Sequence, residues 1–453
     1  MSMSEFHIEG GHKIGGTITP QGNKNEALPV LCAALMNPQG VTIRNVPQIE
    51  DIKNLLKILE AVGAQLTPLE DGHSYKISTP QIKLSELPPE LASGLRGSVT
   101  LLGPLLARAK KVFLPRPGGD KIVRRRVDTH LLALSALGAK VEVFNDGYML
   151  VADKLVGTAI LLDEASVTGT ENAVMAAACA EGTTLIENAA SEPHVQGLCR
   201  FLVAQGVKIE GIGSNMLRIH GVGGFENLKS ADHTIGADYL EIGSFIAMSA
   251  MTGGDLVIQN INPIDLRMIK FVFERVGINW RYQEAARAHG GAGGGADTDV
   301  NAPPQIDLVM KSPYALKIQT DVHGEIPKID DAPWPMFPAD LISIILTVAT
   351  QCSGTVLIHE KLFESRLYFT DKLMGMGAQI VLCDPHRAVI IGPSKLYGSR
   401  MTSPDIRAGM ALVIAALAAE GQSVIQNILQ IDRGYENIDA RLRLLGAKIE
   451  RAG

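Results

Sequence analysis

The stretch LLALSALGAKVEV, residues 131–143, shows the pattern that organises this chain. An apolar run suited to a helix ends at Gly138, and a β-like run follows it. Glycine adopts a positive φ without strain and commonly follows the last turn of a helix. The stretch therefore predicts a helix that stops before Gly138 and continues directly into a strand.

The same pattern occurs five more times along the 453 residues. The further copies are LLKILEAVGAQL (55–66), LCRFLVAQGVKIE (198–210), MIKFVFERVGINW (268–280), FTDKLMGMGAQIV (369–381) and IDARLRLLGAKIE (438–450). The six glycines are Gly63, Gly138, Gly206, Gly277, Gly377 and Gly446, so successive intervals are 75, 68, 71, 100 and 69 residues. This spacing predicts six repeats of one helix–strand unit.

The 100-residue interval contains a segment of different composition. Residues 283–304 read QEAARAHGGAGGGADTDVNAPP, a sequence rich in glycine and alanine that lacks the apolar residues of a core. We expect a flexible loop inserted between two strands.

A second set of apolar helices alternates with the first, and each member begins at polar residues. Its members are NKNEALPVLCAALM (23–36), RGSVTLLGPLLARA (96–109), ENAVMAAACA (171–180), ADYLEIGSFIAMSAM (237–251), ADLISIILTVATQ (339–351) and DIRAGMALVIAALAA (405–419). Each repeat then holds two helices and several strands in roughly 70 residues. Six such units predict two compact α/β domains of three repeats each rather than a thin solenoid.

The composition narrows the class of protein. Hydrophobic residues make up 46% of the chain and charged residues 20%, and the net charge of −6 argues against nucleic acid or an anionic membrane surface as the main partner. The start, MSMSEFHIEGG, lacks the basic and apolar regions of a signal peptide. The longest apolar run, near 408–419, is shorter than the ~20 residues of a membrane-spanning helix. The five cysteines form no CxxC pair, and we expect reduced, buried thiols in a cytoplasmic protein.

Charged or amide residues stand where several helices begin, namely Lys24 with Asn25, Asp238, Asp340, and Asp405 with Arg407. Helix N-termini carry free N–H groups and a partial positive charge, so several such ends brought together would suit phosphates and carboxylates. Taken singly, each of these residues reads as an ordinary N-cap, and the array is the stronger signal.

The segment FLPRPGGDKIVRRRVDTH, residues 113–130, places Asp120 among prolines and glycines and follows it with Arg124, Arg125 and Arg126. Two interpretations remain open from composition alone. One is a solvated basic turn. The other is a mobile lid that brings an acid and guanidinium groups onto an anionic substrate.

Seven segments in order resemble one enzyme family: GNKNEALP, LRGSVTLLGPLLAR, PGGDKIVRRRVDTH, SVTGTENAVMAA, EGTTLIENAASEPH, FPADL and IDRGYENI. The family is UDP-N-acetylglucosamine enolpyruvyl transferase, and the resemblance fails only at 283–304. It implies two inside-out α/β domains, each a threefold repeat. One would comprise 1–21 plus 237–453, and the other 22–236 with a catalytic loop at 113–128. The substrate cleft would lie between the domains and close over its ligands.

The resemblance also implies site residues. Asp120 would be the catalytic acid, and Lys24, Asn25, Arg125 and Arg433 would bind phosphoenolpyruvate. The residues implied to contact UDP-N-acetylglucosamine are Arg96, Arg125, Arg126, Val127, Asp128, Thr129, Glu164, Ala165, Ser166, Val167, Asp340 and Leu362. Supporting roles would fall to Arg366, Asp405 and Arg407.

The implied reaction is the transfer of an enolpyruvyl group from phosphoenolpyruvate to the sugar 3-hydroxyl, with release of phosphate, as the first committed step of peptidoglycan synthesis. An acid protonates the methylene carbon, and the hydroxyl attacks the resulting cationic carbon while a base such as Asp340 takes its proton. Elimination then expels phosphate and removes a proton from the new methyl group, which restores the double bond. Lys24 and the arginines neutralise the anionic substrates, and no metal or other cofactor is implied.

The chain departs from the family pattern at four positions. Asp120 stands where many members carry cysteine, Arg126 where proline is common, Thr168 where glycine is common, and Glu164 where a lysine can face the diphosphate. Fosfomycin alkylates the loop cysteine, so the aspartate form is expected to resist it.

Other functions remain as alternatives. They are an enolpyruvyl transferase for another acceptor, such as shikimate 3-phosphate or a different nucleotide, and a non-catalytic nucleotide-sugar-binding paralogue. An RNA-processing protein with a related repeat is disfavoured by the acidic net charge.

Overall fold

The computed structural model describes residues 4–84, 87–92, 95–116, 127–285 and 305–453. The chain divides into two compact units, the first comprising Met1–Pro20, Ala237–Ala332 and Phe337–Gly453, the second Gln21–Gly236 and Pro333–Met336. Gln21 and residues 333–336 therefore group with the second unit, whereas the sequence prediction placed them in the first.

The strands are short. In chain order they are β1 (Glu5–Glu9), β2 (Gly16–Ile18), β3 (Val41–Arg44), β4 (Gln65–Pro68), β5 (Tyr75–Ser78), β6 (Lys111–Pro115), β7 (Lys140–Val143), β8 (Gly147–Val151), β9 (Ala159–Leu161), β10 (Thr183–Glu187), β11 (Lys208–Glu210), β12 (Met216–His220), β13 (Asp232–Thr234), β14 (Leu256–Ile261), β15 (Arg281–Glu284), β16 (Ile306–Met310), β17 (Lys328–Asp330), β18 (Gly354–His359), β19 (Gln379–Asp384), β20 (Arg387–Gly392), β21 (Arg400–Thr402), β22 (Gln422–Gln426) and β23 (Lys448–Ala452).

The helices are α1 (Lys24–Ala34), α2 (Glu50–Val62), α3 (Pro89–Ala92), α4 (Leu102–Ala109), α5 (Asp128–Ala136), α6 (Val167–Cys179), α7 (Pro193–Ala204), α8 (Tyr239–Thr252), α9 (Arg267–Glu274), α10 (Ile342–Ala349), α11 (Thr370–Gly375), α12 (Ile406–Ala418), α13 (Leu429–Asp432) and α14 (Ile438–Leu444). Short 3-10 turns occupy Arg96–Leu101, Phe225–Asn227, Ala339–Leu341 and Arg366–Phe369.

Within the described residues, each unit contains three small sheets. In the second unit the strand orders are β13-β3-β5-β4, β6-β8-β7 and β11-β12-β10-β9. In the first unit they are β15-β16-β14-β2, β17-β18-β20-β19 and β21-β22-β1-β23. Every four-stranded sheet has one parallel pair at one edge and two antiparallel pairs beside it. This recurring plan is the structural form of the sequence repeat.

The glycine at the end of each copy has the positive φ that the sequence predicts. Gly63, Gly138, Gly206, Gly277, Gly377 and Gly446 all have φ between 88° and 122°. A strand begins within a few residues of each one, at β4, β7, β11, β15, β19 and β23. An L side chain would strain this backbone, so glycine allows the sharp passage from helix to strand.

The second set of helices forms the centre of each unit. All eight residues of α10 are buried, as are eleven consecutive residues of α12 and eleven of α6. Strands such as β12 instead alternate between buried and exposed residues, which is typical of a sheet with one face on the core. Apolar helices inside and sheets outside confirm the predicted inside-out α/β fold.

Two boundaries of the sequence prediction were wrong. Gln283 and Glu284 lie in β15, where they pair with β16, although the sequence placed them in the loop that starts at 283. Phe113, Leu114 and Pro115 belong to β6 and pair with β8, although they were assigned to the loop 113–128. In both places strand pairing extends into residues whose neighbours in sequence resemble a loop.

Candidate active site

The helix α1 opens with a buried cation. The side chain of Asn23 caps the helix by accepting the Glu26 N–H at 3.0 Å, and Lys24 is the first helical residue. The Lys24 Nζ lies 2.7 Å from Asp51 Oδ2, and both side chains are less than a tenth exposed. A buried charge is stable only when it is paired, so Asp51 fixes the ammonium at this helix end. Asn25 is half-buried beside it.

Glu26 was not among the predicted site residues, yet it anchors this helix end. Its carboxylate lies 2.8 Å from His233 Nε2 and accepts the Gly236 N–H at 3.1 Å. The Asn23 N–H in turn donates to the Gly236 carbonyl at 2.7 Å. The Asn-x-x-Glu spacing is the signal that could have drawn attention to it, although Glu26 reaches residues 233–236 rather than its own cap.

Two further helix ends lie next to each other in the same unit. Val127 and Asp128 lead into α5, and residues 164–166 lead into α6, where the Ser166 Oγ accepts the Gly169 N–H at 3.2 Å. The Thr129 hydroxyl donates to Asp163 Oδ1 at 2.6 Å and ties the two ends together. The predicted segments 127–129 and 164–167 are therefore neighbours, and their helix ends offer N–H groups suited to an anion.

A buried histidine underlies these helix ends. The Asn172 Oδ1 accepts the Gly103 N–H at 2.7 Å, so its Nδ2 donates to the Val99 carbonyl at 2.8 Å and to His130 Nδ1 at 2.7 Å. Because Nδ1 is then an acceptor, the ring proton is on Nε2 and points to Thr168 Oγ1 at 3.1 Å. Burial, and next the positive charge of Arg96, lower the pKa of His130 to about 3.

The sequence prediction missed His130 and Asn172. Both lie in segments that resemble the family, but Asn172 sits in the apolar run ENAVMAAACA, where one amide looks incidental. Thr168 was noted only as a departure from glycine. The structure gives its hydroxyl a partner on His130, so this departure belongs to a hydrogen-bonded network.

In the first unit, Asp340 lies between two arginines. The Arg366 Nη1 donates to Oδ1 at 3.0 Å and the Arg407 Nε donates to Oδ2 at 3.1 Å. Partial burial alone would raise the pKa of Asp340, but the Arg407 and Arg366 guanidinium groups outweigh it and hold the pKa well below its usual range. Asp340 is therefore an ionised acceptor that orients a hydroxyl well and retains a proton poorly.

The neighbours of this cluster fix its arginines. The Asp405 side chain caps α12 by accepting the N–H groups of Arg407 and Ala408 at 2.8 and 2.9 Å. The Arg407 guanidinium carbon lies 5.5 Å from the centre of the Tyr435 ring. Arg433, two residues before Tyr435, is half-buried and donates to Gln430 Oε1 at 3.0 Å.

Asp238 and Leu362 complete the predicted set in this unit. Asp238 caps α8, as its position in the sequence suggested, and burial raises its pKa to about 6 although Arg407 opposes the shift. The Leu362 side chain is 44% exposed, which leaves it available for an apolar contact.

Asp120, Arg125 and Arg126 lie outside the described residues, so their placement stays a prediction. Across the ranges that the structure does describe, no group of three or more His, Cys, Asp or Glu side chains is arranged to hold a metal ion. In the same ranges, no helix combines the length and apolar character needed to cross a membrane.

Comparisons with known proteins agree with this arrangement. The family profile of EPSP synthase (3-phosphoshikimate 1-carboxyvinyltransferase) matches residues 8–442. The UDP-N-acetylglucosamine 1-carboxyvinyltransferase of Treponema denticola is 50% identical over 448 residues, with 99% of each chain covered. The enzyme of the same name from Bradyrhizobium diazoefficiens is 49% identical over 451 residues, covering 100% of this chain and 99% of that relative.

Solved structures share the fold at lower identity. The enolpyruvyl transferase NikO from Streptomyces tendae superposes with a TM-score of 0.83 at 21% identity and covers 99% of both chains. An EPSP synthase from Acinetobacter baumannii gives a TM-score of 0.75 at 17% identity and covers 99% of this chain and 100% of that one. With relatives that are about half identical over their full length, this chain belongs to the UDP-N-acetylglucosamine 1-carboxyvinyltransferase family of enolpyruvyl transferases.

Proposed function

We propose that this chain transfers the enolpyruvyl group of phosphoenolpyruvate to the 3-hydroxyl of UDP-N-acetylglucosamine and releases phosphate. This reaction is the first committed step of peptidoglycan synthesis. The observation that carries the proposal is full-length identity of 47–50% to curated relatives named for this activity. We place the reaction in the cytoplasm, because both substrates are small, charged and water-soluble.

Lys24, Asn25, Arg125 and Arg433 are proposed to bind phosphoenolpyruvate. The Lys24–Asp51 pair supports this role, because a buried and already paired ammonium needs little rearrangement to meet a phosphate or carboxylate. Asn25 follows Lys24 in the first turn of α1, where backbone N–H groups also favour an anion.

The nucleotide sugar is proposed to contact residues at helix ends and in the segments beside them. The helix ends at Val127–Thr129 and Glu164–Val167 would meet the uridine and the diphosphate, with Arg96 close to the buried His130 beneath them. Arg126, Asp340 and Leu362 complete the proposed contacts. Arg366, Asp405 and Arg407 would support Asp340 rather than touch the substrate.

The depressed pKa of Asp340 refines its proposed part in the chemistry. The sequence suggested a base, but two guanidinium groups make the protonated form of this carboxyl unfavourable. We expect Asp340 to accept a hydrogen bond from the sugar hydroxyl and align its oxygen for attack. The hydroxyl proton then leaves with the phosphate, and the proton added to the methylene carbon is removed again in the elimination. The proposed donor to the methylene carbon is Asp120.

The test is to incubate the purified protein with phosphoenolpyruvate and one acceptor at a time, measuring phosphate release and product mass. UDP-N-acetylglucosamine should yield phosphate and a product heavier by one enolpyruvyl group. Shikimate 3-phosphate is the matched acceptor, because the family profile that matches this chain is named for it. Phosphate release with shikimate 3-phosphate and none with UDP-N-acetylglucosamine would refute the proposed function.

A further inference from the structure

The segment between β18 and the 3-10 turn Arg366–Phe369 carries Leu362 and is held by two buried carboxyl side chains. Asp331 Oδ1 accepts the Lys361 N–H at 2.5 Å, and Glu360 Oε1 accepts the Phe363 N–H at 3.0 Å. The Leu362 N–H is shared between Asp331 Oδ2 and Glu360 Oε1, each at 3.2 Å. Three consecutive backbone N–H groups thus point at one pair of carboxyls.

The two carboxyls also contact each other. Glu360 and Asp331 are both fully buried, and a hydrogen bond joins their side chains. Two carboxylates cannot form that bond unless one of them carries a proton. The Glu360 Oε2 is buried and accepts no hydrogen bond within the described residues, as suits an oxygen that carries the proton itself.

The protonated partner is Glu360. Burial raises its pKa to about 9 and the negative charge of Asp331 adds to this effect, while Arg366 opposes it. Glu360 is therefore neutral at pH 7.

Other charges surround the pair. Arg366 interacts with Glu360, Asp340 and Asp405, and so the charge state of Glu360 affects how strongly Arg366 holds Asp340. Further titratable or charged groups nearby are Asp330, which pairs with both Lys328 and Lys361, and His386, whose Nδ1 lies 2.8 Å from the Glu360 carbonyl.

We propose that Glu360 and Asp331 are positioning residues for the transfer reaction, and that the proton they share fixes Leu362 and Arg366 for nucleotide-sugar binding. This rests on the proposed function, because Leu362 and the Asp340–Arg366 pair act on the sugar only in that reaction. When Glu360 loses the proton, two carboxylates repel each other in a buried site and Arg366 is drawn from Asp340 toward Glu360. Affinity for the nucleotide sugar then falls, and the chemical step is affected less.

The experiment measures kcat and the KM for UDP-N-acetylglucosamine from pH 7 to pH 10. In the wild-type protein, ionisation of Glu360 should raise KM about tenfold over this range. Glu360→Gln keeps an oxygen acceptor and supplies a permanent N–H donor, so its KM should lack this alkaline rise. Asp371→Asn, which removes an exposed carboxyl paired with Lys372 near the same segment, is the matched control and should follow wild type.

Asp331→Asn is the second variant in case Glu360→Gln folds poorly. Its amide can donate to Glu360, and no second carboxylate remains to repel it, so the alkaline rise in KM should again be absent. Its KM at pH 7 should increase, because only one oxygen remains for the Lys361 and Leu362 N–H groups that Asp331 accepts. A Glu360→Gln or Asp331→Asn protein whose KM rises in parallel with wild type overturns the proposal. So does a folded Glu360→Gln protein that loses kcat with an unchanged KM.

Infrared spectroscopy separates this proposal from the proposed function. The carbonyl band of a protonated carboxyl should be present in wild type at pH 7 and reduced in Glu360→Gln. An active enzyme with no such difference overturns the shared proton alone. A wild-type protein that has the band but no turnover with UDP-N-acetylglucosamine overturns the proposed function, and with it the positioning role.

Discussion

The buried His130 makes a quantitative prediction about acid stability. Its pKa is about 3 in the folded chain, whereas an unfolded histidine titrates near ~6.5. As the pH falls below about 6.5, His130 binds a proton in the unfolded chain but stays neutral in the folded chain, so the free energy of unfolding decreases. Below about pH 6.5, each pH unit lowers the free energy of unfolding by about 1.4 kcal/mol. His130 should therefore remove about 2.7 kcal/mol of stability between pH 7 and pH 4.5.

The assay compares wild type with His130→Gln, whose amide retains polar contacts but does not titrate. Urea unfolding followed by circular dichroism at several pH values gives the free energy of unfolding of each protein. Other groups titrate in the same window, including Asp238 with a pKa of about 6. They are common to both proteins, so the difference between the two curves isolates His130.

We expect wild type to lose stability faster than His130→Gln, with slopes that differ by one proton between pH 6 and pH 4. Nitrogen NMR of labelled histidine should independently find the neutral ring with its proton on Nε2 in that range. Parallel curves for the two proteins, or a His130 ring that protonates near pH 6.5 while the protein stays folded, would falsify this reasoning.

Four further predictions concern the remaining parts of the proposed site and the inserted segment. Asp120→Asn should lose most turnover and keep nucleotide-sugar binding, because an amide cannot donate a comparable proton. Phosphate release measures the turnover and isothermal titration calorimetry measures the binding. Full activity would remove Asp120 from the mechanism. Asp120→Cys should remain active and become sensitive to fosfomycin, whereas time-dependent inactivation of the natural protein with an adduct on Asp120 would contradict the aspartate argument. Lys24→Met should lower the free energy of unfolding in urea by about 3–5 kcal/mol, because it removes the ammonium that pairs with the buried Asp51. Adding Asp51→Leu should restore stability but not activity. A Lys24→Met protein as stable as wild type would show that the pair does not contribute to stability. Replacing 286–304 by a short glycine–serine turn should leave kcat/KM unchanged, because the Ala285 N–H already donates to the Gln305 carbonyl at 2.8 Å. A loss of activity would show that the insert has a function.

The fold was predictable because its signals are local. A glycine at positive φ and the apolar run before it lie within a dozen residues of each other, as at Gly138. The repeated spacing then gives the number of units without any knowledge of long-range contacts. The prediction was wrong where pairing with a distant strand decided the boundary, as at Phe113–Pro115 and Gln283–Glu284.

The site was predictable only in part, and the reason is the distance in sequence between partners. The helix-start residues Lys24, Asp340 and Asp405 could be named from their positions, but what holds them could not. Asp51 lies in an ordinary amphipathic helix, and Asp331 lies 29 residues before Glu360. Nothing local distinguishes such a buried carboxyl from one that faces water.

The position of β1 has a consequence for the order of events during synthesis. This strand lies between β22 and β23, yet it is made more than 400 residues before them. At elongation rates of about 5–20 residues per second, β1 waits roughly 20 to 90 seconds for both of its neighbours. Over the same period the nearly continuous second unit can complete its three sheets. The second unit therefore has time to fold while β1 is still without β22 and β23. During that interval a chaperone or the edge of another sheet has access to β1.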